Sequence, residues 1–280
     1  KQKTAYEIMP SLVGSEMCIR DRYEDGLADV YVTMGNLYST LEKRGEALAY
    51  YNKGLEIATR IKDLLQIART HNNLADFYMK HNELSKALTH VLESIRLGER
   101  IGEDYMLAVA YCTAGEIYHR QKVYNQAKTY YDKSVRIATK TKDKSSLLYA
   151  LNCIAELLID QQHYDEALYK LKEILTQATY LGIPSEIART YFNLGRVSEY
   201  TQKFQEAIEH FKNAEKYFRD SGNRVNAGLA LGRIGDVYLK IGDKNLARQF
   251  YTQAMFVFQR EGIKDKYESI KNKLEQIKTY

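Results

Sequence analysis

The sequence predicts an all-α protein in which paired helices stack into a solenoid. Only two of its 280 residues are prolines, so almost nothing interrupts a helix. Apolar residues recur three and four positions apart, which is the spacing of one face of a helix. The same pattern returns every forty residues, and a long internal period of this kind is typical of stacked repeats, which bury their apolar faces only against one another.

Six copies of the repeat follow one another without insertion or deletion. A small residue marks the first helix of each copy, an alanine marks the second helix, and a bulky residue follows that alanine by four positions. These three columns are Gly35, Ala75, Gly115, Ala155, Gly195 and Gly235; Ala47, Ala87, Ala127, Ala167, Ala207 and Ala247; and Tyr51, Val91, Tyr131, Leu171, Phe211 and Tyr251. We interpret the small residues as points where the first helix closely approaches the alanine-bearing face of the second.

The turns and the end of the array carry further signals. Glycine is frequent where each second helix should close, in the column Lys62, Gly102, Lys142, Gly182, Gly222 and Gly262. Pro184 falls in the first turn of the next helix, where its missing N–H costs little. The predicted fold spans residues 23–267, and 268–280 form the C-terminal part of a capping helix. The six repeats are placed at 28–67, 68–107, 108–147, 148–187, 188–227 and 228–267.

Residues 1–22 share no pattern with the rest of the chain. They can be back-translated into codons that resemble the adapters of short-read sequencing libraries. A signal peptide is the biological alternative, but the segment has no apolar core of the necessary length. We therefore expect residues 1–22 not to belong to the fold, the true coding sequence to start near Tyr23, and the natural N-terminus to be missing.

Composition excludes several classes of function. The net charge of +5 arises from 41 basic and 36 acidic residues that are interleaved, which disfavours a nucleic-acid surface. No segment approaches the roughly 20 apolar residues of a membrane span. The three cysteines and six histidines show no metal-binding spacing, and no nucleophile or phosphate-binding motif is present. The sequence thus assigns no catalytic residue, metal or cofactor. Cys112 and Cys153 lie at nearly the same offset on neighbouring first helices, and we interpret them as reduced thiols of a cytoplasmic protein in preference to a redox pair.

Tyr31, Met34, Gly35, Tyr38, Ala47 and Tyr51 stand where the tetratricopeptide repeat has its aromatic, leucine, glycine, tyrosine, alanine and aromatic positions. Residues 28–267 resemble that family, although Ser198 replaces a usual tyrosine and the period of forty exceeds the usual 34. The resemblance implies a right-handed superhelix. The longer period is similar to that of spindle-orientation adaptors and bacterial quorum-sensing peptide receptors, which hold peptides or helices in a concave groove.

The resemblance also implies which residues line that groove, namely those at offsets of −6, −3, −2, +1 and +4 from the small residue of each first helix. The candidates are Asn36, Arg69, Asn72, Asn73, Asp76, Thr113, Glu116, Asn152, Glu156, Arg189, Asn193, Arg196, Arg233 and Asp236. Asparagine can pair with a peptide backbone, and arginine can bind a carboxylate through two hydrogen bonds. The same short motif contains Arg69 with Asn73 in the second repeat and Arg189 with Asn193 in the fifth. We expect both pairs to bind a peptide. For any single residue a solvated face is the preferred interpretation, whereas the strip as a whole favours binding.

The predicted function is therefore a noncatalytic scaffold that binds a protein or peptide, with neither nucleic acid nor membrane as partner. One alternative is the regulatory region of a larger signalling protein that carries a kinase, cyclase or transcription regulator. Another is a peptide receptor that acts on a response regulator, which in the similar quorum-sensing proteins requires an N-terminal helical bundle. The sequence leaves the oligomeric state open.

Overall fold

The structure is a computed structural model that describes residues 24 and 26–278. These residues form thirteen α-helices and no β-strand, so the predicted all-α repeat architecture is confirmed. The helices are α1 (26–40), α2 (Arg44–Ile61), α3 (Leu64–Lys80), α4 (Leu84–Ile101), α5 (Asp104–Arg120), α6 (Tyr124–Thr141), α7 (Lys144–Asp160), α8 (Tyr164–Leu181), α9 (Pro184–Tyr200), α10 (Phe204–Asp220), α11 (Arg224–Ile241), α12 (Lys244–Arg260) and α13 (Lys264–Lys278). The segment 1–22, with its predicted adapter origin, lies outside the described residues.

The described residues divide into two compact parts, one up to Asp143 and one from Lys144, which we call the N-terminal half and the C-terminal half. Within each half, consecutive helices pack on one another. Odd-numbered helices from α1 to α11 are the first helices of the repeats, and even-numbered ones are the second helices. The predicted repeat boundaries at 68, 108, 148, 188 and 228 each fall four residues after the start of a first helix. None of the described helices is long and apolar enough to cross a bilayer.

Left-handed residues close the helices, as the glycine column predicts. Lys62, Gly102, Lys142, Gly182, Gly222 and Gly262 all have positive φ, between 58° and 77°. The turn between the two helices of each repeat also contains a left-handed residue. The sequence analysis did not predict these residues, because Gly242 is the one glycine in this column. The other five are Glu42, Asn82, Lys122, Gln162 and Gln202. Backbone hydrogen bonds stabilise these helix ends; for example, Asp63 N donates to Ala58 O at 2.9 Å. They offset the strain of a residue other than glycine at positive φ.

Where the small residue of the first helix is glycine, it lies against an aromatic ring on the alanine-bearing face of the second helix, four residues after the alanine. A Cβ added to Gly35, Gly115, Gly195 or Gly235 would lie 2.5 to 2.7 Å from ring carbons of Tyr51, Tyr131, Phe211 or Tyr251, respectively. Where the small residue is alanine instead, at Ala75 and Ala155, the bulky residue is aliphatic, Val91 and Leu171. The pairing of glycine with a ring and of alanine with an aliphatic side chain follows from the space that one methyl group needs.

Helix α13 closes the apolar surface of the last repeat. Its Ile270, Leu274 and Ile277 are buried and belong to one cluster with Tyr251 and Phe258 of α12. The four first helices α7, α9, α11 and α13 of the C-terminal half, counting α13 as the first helix of a seventh register, carry the surface described next.

Candidate functional site

Two cavities lie on the first helices of the C-terminal half, and we call them together the C-terminal groove. Their volumes are about 400 and 160 Å³, and both are lined by Phe192 and Leu229. The larger cavity is also lined by Arg196, Arg233, Asp236 and Lys273, and the smaller by Glu156, Arg189, Phe218 and Asn226. Partly exposed apolar side chains therefore lie between basic ones.

The predicted pair Arg189 and Asn193 is held within the protein. Arg189 Nη1 lies 3.4 Å from Glu156 Oε1, and its guanidinium is 4.2 Å from the centre of the Tyr149 ring. Asn193 Nδ2 donates to the same Glu156 oxygen at 3.1 Å and is only 1% exposed. Asn193 thus stabilises the contact between α7 and α9 instead of facing a ligand, whereas Arg189 lines the smaller cavity.

The other charged side chains of the groove contact one another, and Arg233 has the longest contacts among them. Lys273 Nζ and Tyr251 Oη each donate to Asp236 Oδ1 at 2.6 Å. Arg233 Nη1 lies 3.7 Å from Glu199 Oε2 and 3.9 Å from Asp236 Oδ2, which are ion-pair distances and too long for hydrogen bonds. The guanidinium of Arg233 therefore keeps its donors available to a ligand.

Arg196 is fixed more firmly. Its Nη2 donates to Asp160 Oδ1 at 2.5 Å. Burial lowers the pKa of Arg196, but the Asp160 and Glu156 carboxylates outweigh it and raise that pKa above its ordinary value. Arg196 accordingly keeps a permanent positive charge at the wall of the larger cavity.

Four predicted groove residues are buried between helices and do not face solvent. They are Asn72, Thr113, Asn152 and Asn193. Asn152 shows the reason, because its Nδ2 donates to Glu186 Oε2 at 3.0 Å and its Oδ1 accepts from Thr190 at 3.2 Å. Burial raises the pKa of this Glu186 carboxyl. Side chains at offsets −3 and −2 can thus be covered by the neighbouring first helix.

Several residues that line the groove are not among the predicted ones, and Leu229 and Lys273 show two reasons. Leu229 is at offset −6 in its repeat, but an aliphatic residue was not sought there. Lys273 lies in α13, which was interpreted only as a cap. Extending the forty-residue register once more places Lys273 at offset −2 of a seventh copy, so the repeat itself contained the signal.

In the N-terminal half, Asn36, Asn73 and Asp76 line a cavity of about 320 Å³ together with Tyr51 and Lys80. Tyr51 Oη donates to Asn36 Oδ1 at 2.7 Å. Burial, and next the charge of Glu116, raise the pKa of Asp76 to about 7, against the opposite influence of Lys80 and Arg120. Arg69 is exposed on the same helix as Asn73.

The N-terminal half also brings together two histidines that the sequence analysis kept apart. The Nδ1 atoms of His71 on α3 and His90 on α4 are 2.9 Å apart, so one ring donates to the other. The Tyr78 ring stacks on His90 with the centroids 5.3 Å apart. Burial lowers the pKa of both histidines, and His71 further lowers that of His90.

We expect acid to destabilise the N-terminal half through this pair. The unfolded histidines bind protons near their ordinary pKa of about 6.5, while the folded ones bind them only at lower pH, so stability falls as the pH drops below about 6.5. Urea midpoints between pH 8 and 5 should fall further for the wild type than for His71→Tyr with His90→Tyr, which copies Tyr111 and Tyr130 of the next repeat. Asp76 titrates in both proteins, so their difference isolates the pair. Parallel pH curves would contradict the expectation.

Comparison of the sequence with known protein families identifies the family of this chain. The sequence profile of the tetratricopeptide repeat matches residues 26–100, 66–140, 105–180, 146–220 and 186–259. Among curated proteins, no sequence is significantly similar to this chain.

Solved structures share the fold at low sequence identity. The apo form of RapI is 18% identical, with a TM-score of 0.69 and 85% of each chain covered. The Rap conjugation gene regulator of plasmid pLS20, in complex with the Phr* peptide, is 15% identical, with a TM-score of 0.69 over 89% of this chain and 78% of that one. The apo quorum sensor NprR from B. thuringiensis is 14% identical, with a TM-score of 0.66 over 94% and 74%. Because the overlapping profile matches run from residue 26 to residue 259, the chain belongs to the tetratricopeptide repeat family.

Proposed function

We propose that this protein is a noncatalytic scaffold that binds an extended peptide along the C-terminal groove. The observation that carries the proposal is the position of Phe192 and Leu229, which line both cavities and have basic residues on either side. Such a surface offers apolar contact to a ligand side chain and charge-assisted hydrogen bonds to a ligand carboxylate. The structurally similar Rap regulator of pLS20 was solved with a peptide, which supports a ligand of this class.

The geometry fits a peptide better than a compact small molecule. The two cavities adjoin through shared side chains and lie on successive first helices, so the surface is elongated. An extended chain advances about 3.3 Å per residue, and a few residues therefore reach from one cavity to the next. Arg189 lines the smaller cavity and Arg233 the larger one, so each cavity offers a basic partner to a ligand carboxylate.

Arg233→Glu is expected to weaken peptide binding by about tenfold or more. The loss of a charge-assisted hydrogen bond costs about 1.5 to 3 kcal/mol, and each 1.4 kcal/mol is a factor of ten. Peptides are selected with the wild-type protein from a random display library, and their dissociation constants are measured by fluorescence anisotropy.

The matched control is Lys244→Glu, which makes the same charge change at an exposed position on α12. It should bind the selected peptides like the wild type. The proposal is wrong if no peptide is enriched over selection on an unrelated protein, or if Arg233→Glu binds as tightly as the control.

A further inference from the structure

We infer that the N-terminal half contains a peptide-binding subsite of its own, in which Asp76 receives a cationic side chain, lysine or arginine, of a bound peptide. The inference rests on the proposed function and specifies the ligand that this function implies. It comes from a comparison between Asp76 and the acidic residues at the same offset in other repeats.

In the C-terminal half, acidic residues at offset +1 have partners inside the protein. Glu156 receives Arg189 and Asn193 from the next first helix, at 3.4 and 3.1 Å. Asp236 receives Lys273 from the next first helix and the hydroxyl of Tyr251 from its own repeat, both at 2.6 Å. A cation at offset −6 or −2 of the following helix thus neutralises the carboxylate in both cases.

Asp76 has the same offset but neither kind of partner. Val109 and Thr113 of α5 occupy the positions that correspond to the cation, and Val91 replaces the tyrosine. Tyr51, which also lines the cavity, donates to Asn36 instead. Among the described residues, no lysine or arginine lies within ion-pairing distance of Asp76. Arg120 donates to the carbonyl of Met79 at 3.0 Å.

The surroundings of this carboxylate favour an incoming cation. Its cavity of about 320 Å³ is lined mostly by polar side chains, among them Asn36, Ser39 and Asn73. The charged groups that act on Asp76 are Lys80 on its own helix and Glu116 and Arg120 on α5, and the net effect with burial is a carboxyl that resists ionisation. A half-buried carboxylate without a partner is costly, so a ligand ammonium or guanidinium would stabilise its charged form.

The test compares peptides selected from a random display library by the wild type, by Asp76→Asn and by the charge-matched control Glu46→Gln, which is exposed on α2. We expect the wild type and the control to enrich peptides with lysine or arginine at a fixed position, and Asp76→Asn to lose that preference. A selected arginine peptide is then resynthesised with citrulline, which keeps the shape but removes the charge. This change should weaken binding to the wild type at least tenfold and leave binding to Asp76→Asn unchanged.

The pH dependence of peptide binding distinguishes an ion pair between Asp76 and the ligand from a purely structural role of Asp76. Because Asp76 must lose its proton to pair with the ligand cation, the arginine peptide should bind the wild type more tightly at pH 8 than at pH 6, and the citrulline peptide should show a smaller change. Selection of peptides without a fixed basic residue, or an unchanged preference in Asp76→Asn, overturns this inference and leaves the scaffold function standing. Failure to enrich any peptide overturns both.

Discussion

Gly195→Ala is expected to lower the free energy of unfolding by about 1 to 3 kcal/mol, although it adds one methyl group. The new Cβ would lie 2.7 Å from two carbons of the Phe211 ring, which is closer than real Cβ contacts allow. Phe211 is fully buried and contacts the Phe192 ring, so it has little room to retreat. Glycine to alanine inside a helix ordinarily stabilises by about 0.5 to 1 kcal/mol, and here the steric clash reverses that sign.

Phe211→Leu should rescue this variant. The double change Gly195→Ala with Phe211→Leu copies Ala155 and Leu171 of the preceding repeat, so the two substitutions should be less harmful together than their separate effects predict. Gly45→Ala is the control, because nothing lies within 4 Å of its added Cβ, and it should be neutral or stabilising. Urea unfolding of the wild type, the two single variants, the double variant and the Gly45→Ala control, with hydrogen exchange in α9 and α10, measures the coupling. Additive effects, or equal effects at Gly195 and Gly45, would contradict the packing argument.

The repeat architecture could be predicted from sequence because it depends on periodicity, which one sequence displays six times. The columns placed the glycine against the alanine-bearing face of the second helix, and the ring lies on that face four residues after the alanine. Spacing along the chain shows that two positions are linked; it does not show which atoms meet. The distances from a Cβ added at Gly35 to Tyr51 and at Gly195 to Phe211 identify the ring as the nearest group.

The candidate groove was predictable only in part, for a different physical reason. The offset rule treats each first helix alone, yet the exposure of a side chain depends on the neighbouring first helix. Asn152 is buried because Glu186 and Thr190 come from α9 to meet it. Lys273 reaches the groove because α13 continues the register beyond the sixth repeat. Contacts between neighbouring repeats determine whether these side chains are buried or line the groove. The residue columns, which align equivalent positions, carry no information about such contacts.

Asn193→Ala is expected to cost about 1 to 3 kcal/mol, although the same substitution at Asn73 should change stability by about half a kcal/mol or less. The two asparagines occupy one offset in the matching phrases ARTHNNLA and ARTYFNLG, and the sequence alone predicts equal, small effects. Asn193 is buried and donates to Glu156, whose carboxylate would keep only the longer contact to Arg189. Asn73 is half-buried, and Asn36, at the offset that Glu156 occupies, already accepts from Tyr51. Urea unfolding of the two variants decides between these views. Equal, small losses of stability would mean that the hydrogen bond between α7 and α9 contributes little. A loss at Asn193 alone would show that the repeated motif stabilises packing in one repeat and remains available to a ligand in the other.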